Sequence, residues 1–85
     1  MKNVRLKALG ERIRTIRKSK LFSQDNLAAD AGLDRAYYGG VERGERNIAA
    51  LNLMKISVAL SVEVGELFPP LSALRRSTKG ERNGR

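Results

Sequence analysis

Apolar residues recur every three or four positions from the start of the chain, placing Leu6, Leu9, Ile13 and Ile16 on one face of a helix predicted over residues 6–20. Arg12, Arg14 and Lys18 fall on the other face. The helical period returns at Leu27, Ala28 and Ala31, at Tyr38 and Val41, and at Leu53, Ile56 and Leu60. Start and stop signals separate these groups. Ser23 can accept a hydrogen bond from a free first-turn N–H, and Asp25 sets negative charge near the positive end of a helix dipole, so a second helix is predicted to begin there. Gly32 can adopt the left-handed conformation that closes it. Asp34 repeats the capping signal and Gly44 the closing one, delimiting a third helix. Residues 45–48 read as a polar connection and residues 50–60 as a fourth helix. Residues 64–68 read as a short fifth helix, halted by Pro69 and Pro70.

The second and third helices, capped and so close in sequence, must cross steeply. A small residue is needed where their backbones approach, and Ala28 supplies it. Such a pair is one way to present a helix to the major groove of DNA.

Charge strengthens that reading. Residues 1–20 carry eight basic side chains against Glu11, a net +7, whereas residues 21–68 carry −3 and residues 69–85 carry +4, within a total of +8. A polyanion touched by the central motif and gripped by the basic ends fits this distribution, because neutralising phosphates releases counterions and drives most non-specific affinity.

In the stretch QDNLAADAGLDRAYYGGVERG, the residues Gln24, Leu27, Ala28, Gly32, Leu33, Asp34, Glu42 and Gly44 resemble the phage repressor and Cro-like (XRE-type) helix-turn-helix family. The likeness runs over about residues 9–68, and LDRAYYGGVERGERN followed by LNLMKISVAL is most similar to the small controller proteins of restriction-modification systems and related stand-alone regulators. The resemblance implies an all-α, five-helix, lambda-repressor-like DNA-binding domain over residues 1–74, with helices 2 and 3 as the helix-turn-helix. Residues 75–85 (RRSTKGERNGR) are too polar to pack and are expected to form a basic disordered tail.

The resemblance also assigns roles. Arg35 and Ala36 come to base-contacting positions. A guanidinium can bond guanine O6 and N7 together, and a methyl can meet that of thymine. Gln24 would contact backbone phosphate and steady the first residue of the recognition helix. Arg43, Arg46 and Asn47 would lie in a loop that grips phosphates or reaches a base. Asp34, Tyr37 and Gly40 complete the expected interface, with Tyr37 either at the DNA or filling the seam between helices 1 and 3. Arg17 and Glu42 would form a partly buried ion pair. Val58 takes a place where relatives often have lysine, and with Val64 and Phe68 it forms the expected dimer interface. The alternative for Val64 and Phe68 is closure of the monomer's own core.

Four positions depart from the family pattern. Leu21 stands where a glycine usually ends helix 1, so either it takes a strained conformation or the turn is rearranged. Ala49 replaces the usual capping Ser or Thr of helix 4, forfeiting about 1 kcal/mol. Gly39 and Gly40 weaken the recognition helix by roughly 1 kcal/mol each relative to alanine. As outward-facing positions they either admit the backbone to the groove or do nothing.

Composition excludes other classes. With neither Cys nor His there is no thiol chemistry, disulfide or usual zinc site, and no cofactor or metal is expected. No glycine loop follows a strand to cradle phosphate, so no enzyme is expected. The first residues hold no apolar signal core and no apolar run nears the roughly 20 residues of a membrane span, which makes the cytoplasm and its nucleoid the expected compartment. At 85 residues the chain forms one modest domain, burying only about 60–65% of its unfolded surface, so dimerisation would help it. The expected function is a homodimeric transcriptional regulator, often a repressor, on a palindromic site in double-stranded DNA. The alternative is an antitoxin-type DNA-binding protein that also holds a partner toxin.

Overall fold

Asn3 opens the first helix by accepting hydrogen bonds from the N–H groups of Arg5 (2.9 Å) and Leu6 (3.1 Å), so that α1 spans Val4–Ser19 in the computed structural model, which describes residues 3–75. Ser23 caps Asn26 N–H at 3.0 Å and starts α2 (Gln24–Ala31), and Asp34 caps Tyr37 N–H at 2.9 Å and starts α3 (Arg35–Glu42). α4 (Ala50–Leu60) begins at Ala49 with no side-chain cap, as the sequence implies. Among the described residues the fold is all-α, with five α-helices and no strand.

The C-terminal end differs from expectation. Residues expected to form the fifth helix make a 3₁₀ turn over Val64–Leu67, and a further one-turn helix, α5 (Leu71–Leu74), follows the two prolines. Pro70 stops one element but precedes the next without cost, because the residue ahead of a helix has no intrahelical N–H bond to lose. Arginines of α1 tie both pieces down: Arg12 Nε donates to Glu66 O (2.9 Å) and Arg5 Nε to Leu74 O (2.7 Å). Apart from Arg75, the expected tail lies outside the described residues.

Leu21 takes the strained option. Its φ is +66° and it is 91% exposed, and the left-handed region costs a non-glycine residue about 1–2 kcal/mol. Ser61 does the same at the end of α4, with φ +58°.

The core is one cluster. Leu9, Ile13 and Ile16 of α1 meet Leu27, Ala28 and Ala31 of α2, Tyr38 and Val41 of α3, and Leu53, Ile56 and Leu60 of α4. Ile48, within the segment expected to be polar, is buried with them, and Leu67 closes the bottom of the core. Val64 and Phe68 stay 40% and 41% exposed, so neither closes the monomer. α1 lies tightly on the end of α3, because a Cβ at Gly10 would fall 2.4 Å from the carbonyl oxygens of Val41 and Glu42. Gly44 meets Lys7 Cα in the same way at 2.5 Å and is also left-handed, φ +76°. These two glycines set the distance between α1 and the end of α3. Gly10 gave no signal in the sequence, since a lone glycine within a helical pattern looks like a weak point.

Candidate nucleic-acid interface

Glu42, the last residue of α3, is the chemical centre of the motif. Its carboxylate receives Arg17 Nε at 2.6 Å and Nη2 at 3.1 Å, Tyr38 Oη at 2.5 Å and Gln24 Nε2 at 2.8 Å, so α1, α2 and α3 all converge on it. The Arg17 and Glu42 side chains are only 8% and 2% exposed. Arg17 Nη1 goes on to the Phe22 carbonyl at 2.8 Å and thereby supports the turn that contains Leu21. Burial pushes the Glu42 carboxyl up, but the hydrogen bonds from Arg17, Tyr38 and Gln24 outweigh it and hold the group below the ordinary glutamate value. The bond to Glu42 raises the Arg17 pKa despite desolvation. Burial, then the bond to Glu42, pushes the Tyr38 phenol up.

The network continues outward. Gln24 donates through Nε2 to Glu42 and accepts through Oε1 from Arg35 Nη2, so its amide links the buried carboxylate to the first residue of α3. Arg35 Nε donates in turn to Asp25 Oδ1 at 2.7 Å. Arg35 and Ala36 are exposed at the start of α3, as expected. Asp34 is exposed as well, but one carboxylate oxygen is occupied by the cap.

Tyr37 is tied to α4 and to the loop after α3. It is half-buried against the core, its hydroxyl accepts from Asn52 Nδ2 of α4 at 3.2 Å, and Arg46 lies over its ring at 5.8 Å from the centroid. Its hydroxyl is thereby tied to α4. Arg43 donates to Glu45 at 3.1 Å, and Asn47 is exposed beside Arg46.

Gly39 and Gly40 face outward but are buried, because arginine side chains fold over them. A Cβ at Gly39 would fall 2.8 Å from Arg35 Nη1 and 3.1 Å from Arg43 Nη1, and one at Gly40 would fall 3.0 Å from Arg46 Cγ. The missing side chains make room for three guanidinium groups on one face. A broad polar concavity beside them is lined by Lys7, Arg14, Gln24, Asp25, Arg35 and Arg43, among others. Among the described residues there is no cluster of side chains able to hold a metal ion, and no helix long and apolar enough to cross a membrane.

Two capped helices joined at a left-handed glycine, the second carrying arginines on its open face, define a helix-turn-helix protein. The family model described as helix-turn-helix matches residues 13–67, and the chain belongs to that family, whose members are DNA-binding transcription regulators rather than enzymes. It is 43% identical over 60 residues to the control protein C.MunI of a Mycoplasma species, covering 69% of this chain and 81% of the relative. Its fold matches the crystal structure of the restriction-modification controller protein C.AhdI from Aeromonas hydrophila, with a TM-score of 0.73, 49% identity, and coverage of 74% of this chain and 96% of that one. It also matches Bacillus subtilis SinR, the master regulator for biofilm formation, in complex with DNA, with a TM-score of 0.67, 37% identity, and coverage of 69% and 95%.

Sequence reasoning missed the contacts of Asp25 and Asn52. Asp25 was read only for its charge at the start of α2, and Asn52 carried no signal of its own; only the crossing of the helices gives them partners.

Arg17→Met and Glu42→Gln should each destabilise the protein by about 3–5 kcal/mol, since each leaves a buried charge without its partner. The double variant should lose markedly less than the sum, in urea melts of all four proteins. Simple additivity would show that the pair does not act as a unit.

Proposed function

We propose that the chain is a homodimeric regulator that occupies a palindromic operator, possesses the character of a restriction-modification controller, and acts in the cytoplasm beside the nucleoid. The observation that carries this reading is Arg35, exposed on the first turn of α3 and held by Gln24 and Asp25, where a guanidinium can take guanine O6 and N7 together. Ala36 stands next to it for a thymine methyl. Gln24, Asp34, Tyr37, Gly40, Arg43, Arg46 and Asn47 complete the proposed interface. Arg43 and Arg46 contact phosphates or a groove edge, Asp34 presents α3 through its cap, and Gly40 provides the seat of Arg46. The resemblance to controller proteins and to a regulator bound to DNA supports the same assignment.

The dimer follows from α4. Leu51, Met54 and Val58 are exposed at i, i+3 and i+7, with Val58 76% exposed, and Val64, Phe68 and Leu71 extend the apolar surface beyond the helix. Pairing this surface about a two-fold axis sets two recognition helices on one side of the duplex, with half-sites about one helical turn, roughly 34 Å, apart.

Arg35→Ala should reduce the preference for the duplex that the wild type selects from a random-sequence pool, over a scrambled duplex, by about 1–3 kcal/mol. An equal loss on both duplexes in an anisotropy titration would reduce Arg35 to a phosphate contact.

Wild-type protein at about 50 μM, well above a micromolar Kd, should sediment as a dimer. The variant with Val58→Asp and Phe68→Asp should sediment as a monomer with unchanged helical circular dichroism. A monomeric wild type would contradict the interface.

A further inference from the structure

We propose that Asp25 is a specificity-determining positioning residue, one that sets which edge of Arg35 faces the bases without contacting them itself. The proposal rests on the reading of Arg35 as the base reader. A guanidinium offers two forks to an acceptor pair, one from Nε and Nη2 and one from Nη1 and Nη2. Asp25 Oδ1 occupies Nε at 2.7 Å, and Gln24 Oε1 occupies one hydrogen of Nη2. Nε, and the side-on fork with it, is therefore taken, and the donors left for a base are Nη1 and the second hydrogen of Nη2. Gly39 leaves space for this arrangement, since Arg35 Nη1 lies 2.8 Å from where its Cβ would be.

Two anchors thus converge on one rotamer, Asp25 and Gln24, and Gly39 leaves room for it. Gln24 is itself fixed by Glu42 at 2.8 Å, so this anchor is rigid. Asp25 is different in kind. Its side chain is 82% exposed and Arg35's is 48% exposed, so the pair contributes little to folding. It also sets a negative charge in a concavity where Lys7, Arg14 and Arg43 outnumber Glu11, which weakens binding to any duplex regardless of sequence. A charge that opposes all DNA while orienting the hydrogen-bonding base reader raises discrimination by both routes.

The test is anisotropy binding of wild type, Asp25→Ala, Asp25→Asn, Arg35→Ala and the Asp25→Ala, Arg35→Ala double variant, on the pool-selected duplex and a scrambled one at fixed salt. Asp25→Ala should tighten binding to the scrambled duplex and lower the selected-to-scrambled ratio roughly two- to fivefold, the range open to an exposed pair. Asp25→Asn keeps the Oδ1 acceptor, so it should tighten both duplexes yet retain most of the ratio. In the Arg35→Ala background, Asp25→Ala should leave the ratio unchanged. A ratio unaltered by Asp25→Ala, or altered equally without Arg35, overturns the proposal and leaves the role of Arg35 standing. A ratio unaltered by Arg35→Ala removes the base-reader reading, and this proposal with it.

Discussion

A single buried carboxylate organises the motif. Glu42 ends α3, and the three other side chains bonded to it come from α1, α2 and the preceding turn of α3 itself, so the relative placement of all three helices depends on one charged group. An ionised glutamate that is 2% exposed would be costly alone; four hydrogen bonds, two of them from a guanidinium, offset that cost. It also lies at the end of the helix proposed to face DNA. Neutralisation by Arg17 keeps that charge from opposing phosphate.

From Glu42 the order spreads to the surface. Gln24 carries it to Arg35, and Arg17 carries it to Phe22 and the strained turn at Leu21. The close approach of α1 at Gly10 and Gly44 supplies the matching steric constraint, because neither position admits a side chain without moving the backbone of the other helix. The recognition helix is thus held by polar bonds on one side and backbone contact on another. Its own propensity is poor, with two adjacent glycines, so tertiary contacts must hold it.

Local chemistry made much of this legible. Ser23, Asp34, Gly32 and Gly44 announce their caps in the sequence, and the helical spacing identified the core faces of α1 to α4 because burial and period are the same fact seen twice. The left-handed Leu21 was visible as a missing glycine. What lay beyond reading, apart from the Arg17–Glu42 pair that the resemblance supplied, were partners distant in sequence. Arg12 reaches Glu66 across 54 positions and Asn52 reaches Tyr37 across 15, and neither pairing leaves a periodic trace. The glycines of α3 misled for a related reason: their open faces exist, but arginines from the same helix and the following loop fill them. Ile48 was hidden by its polar neighbours, and α5 by the prolines before it.

The ionised state of Glu42 is the point on which this account turns, and the pH dependence of stability tests it. The folded pKa lies below the ordinary value of 4.5, so the unfolded chain binds the extra proton between the two values. The contribution of Glu42 is therefore complete above about pH 5 and is lost as pH falls through the lowered folded value. Unfolding free energies of wild type and Glu42→Gln should be measured by urea titration from pH 7 to pH 3. The advantage of the wild type should be constant down to about pH 5 and shrink below it, as the protonated glutamate comes to resemble glutamine. An advantage that stays constant to pH 3, or is absent at pH 7, would contradict the account.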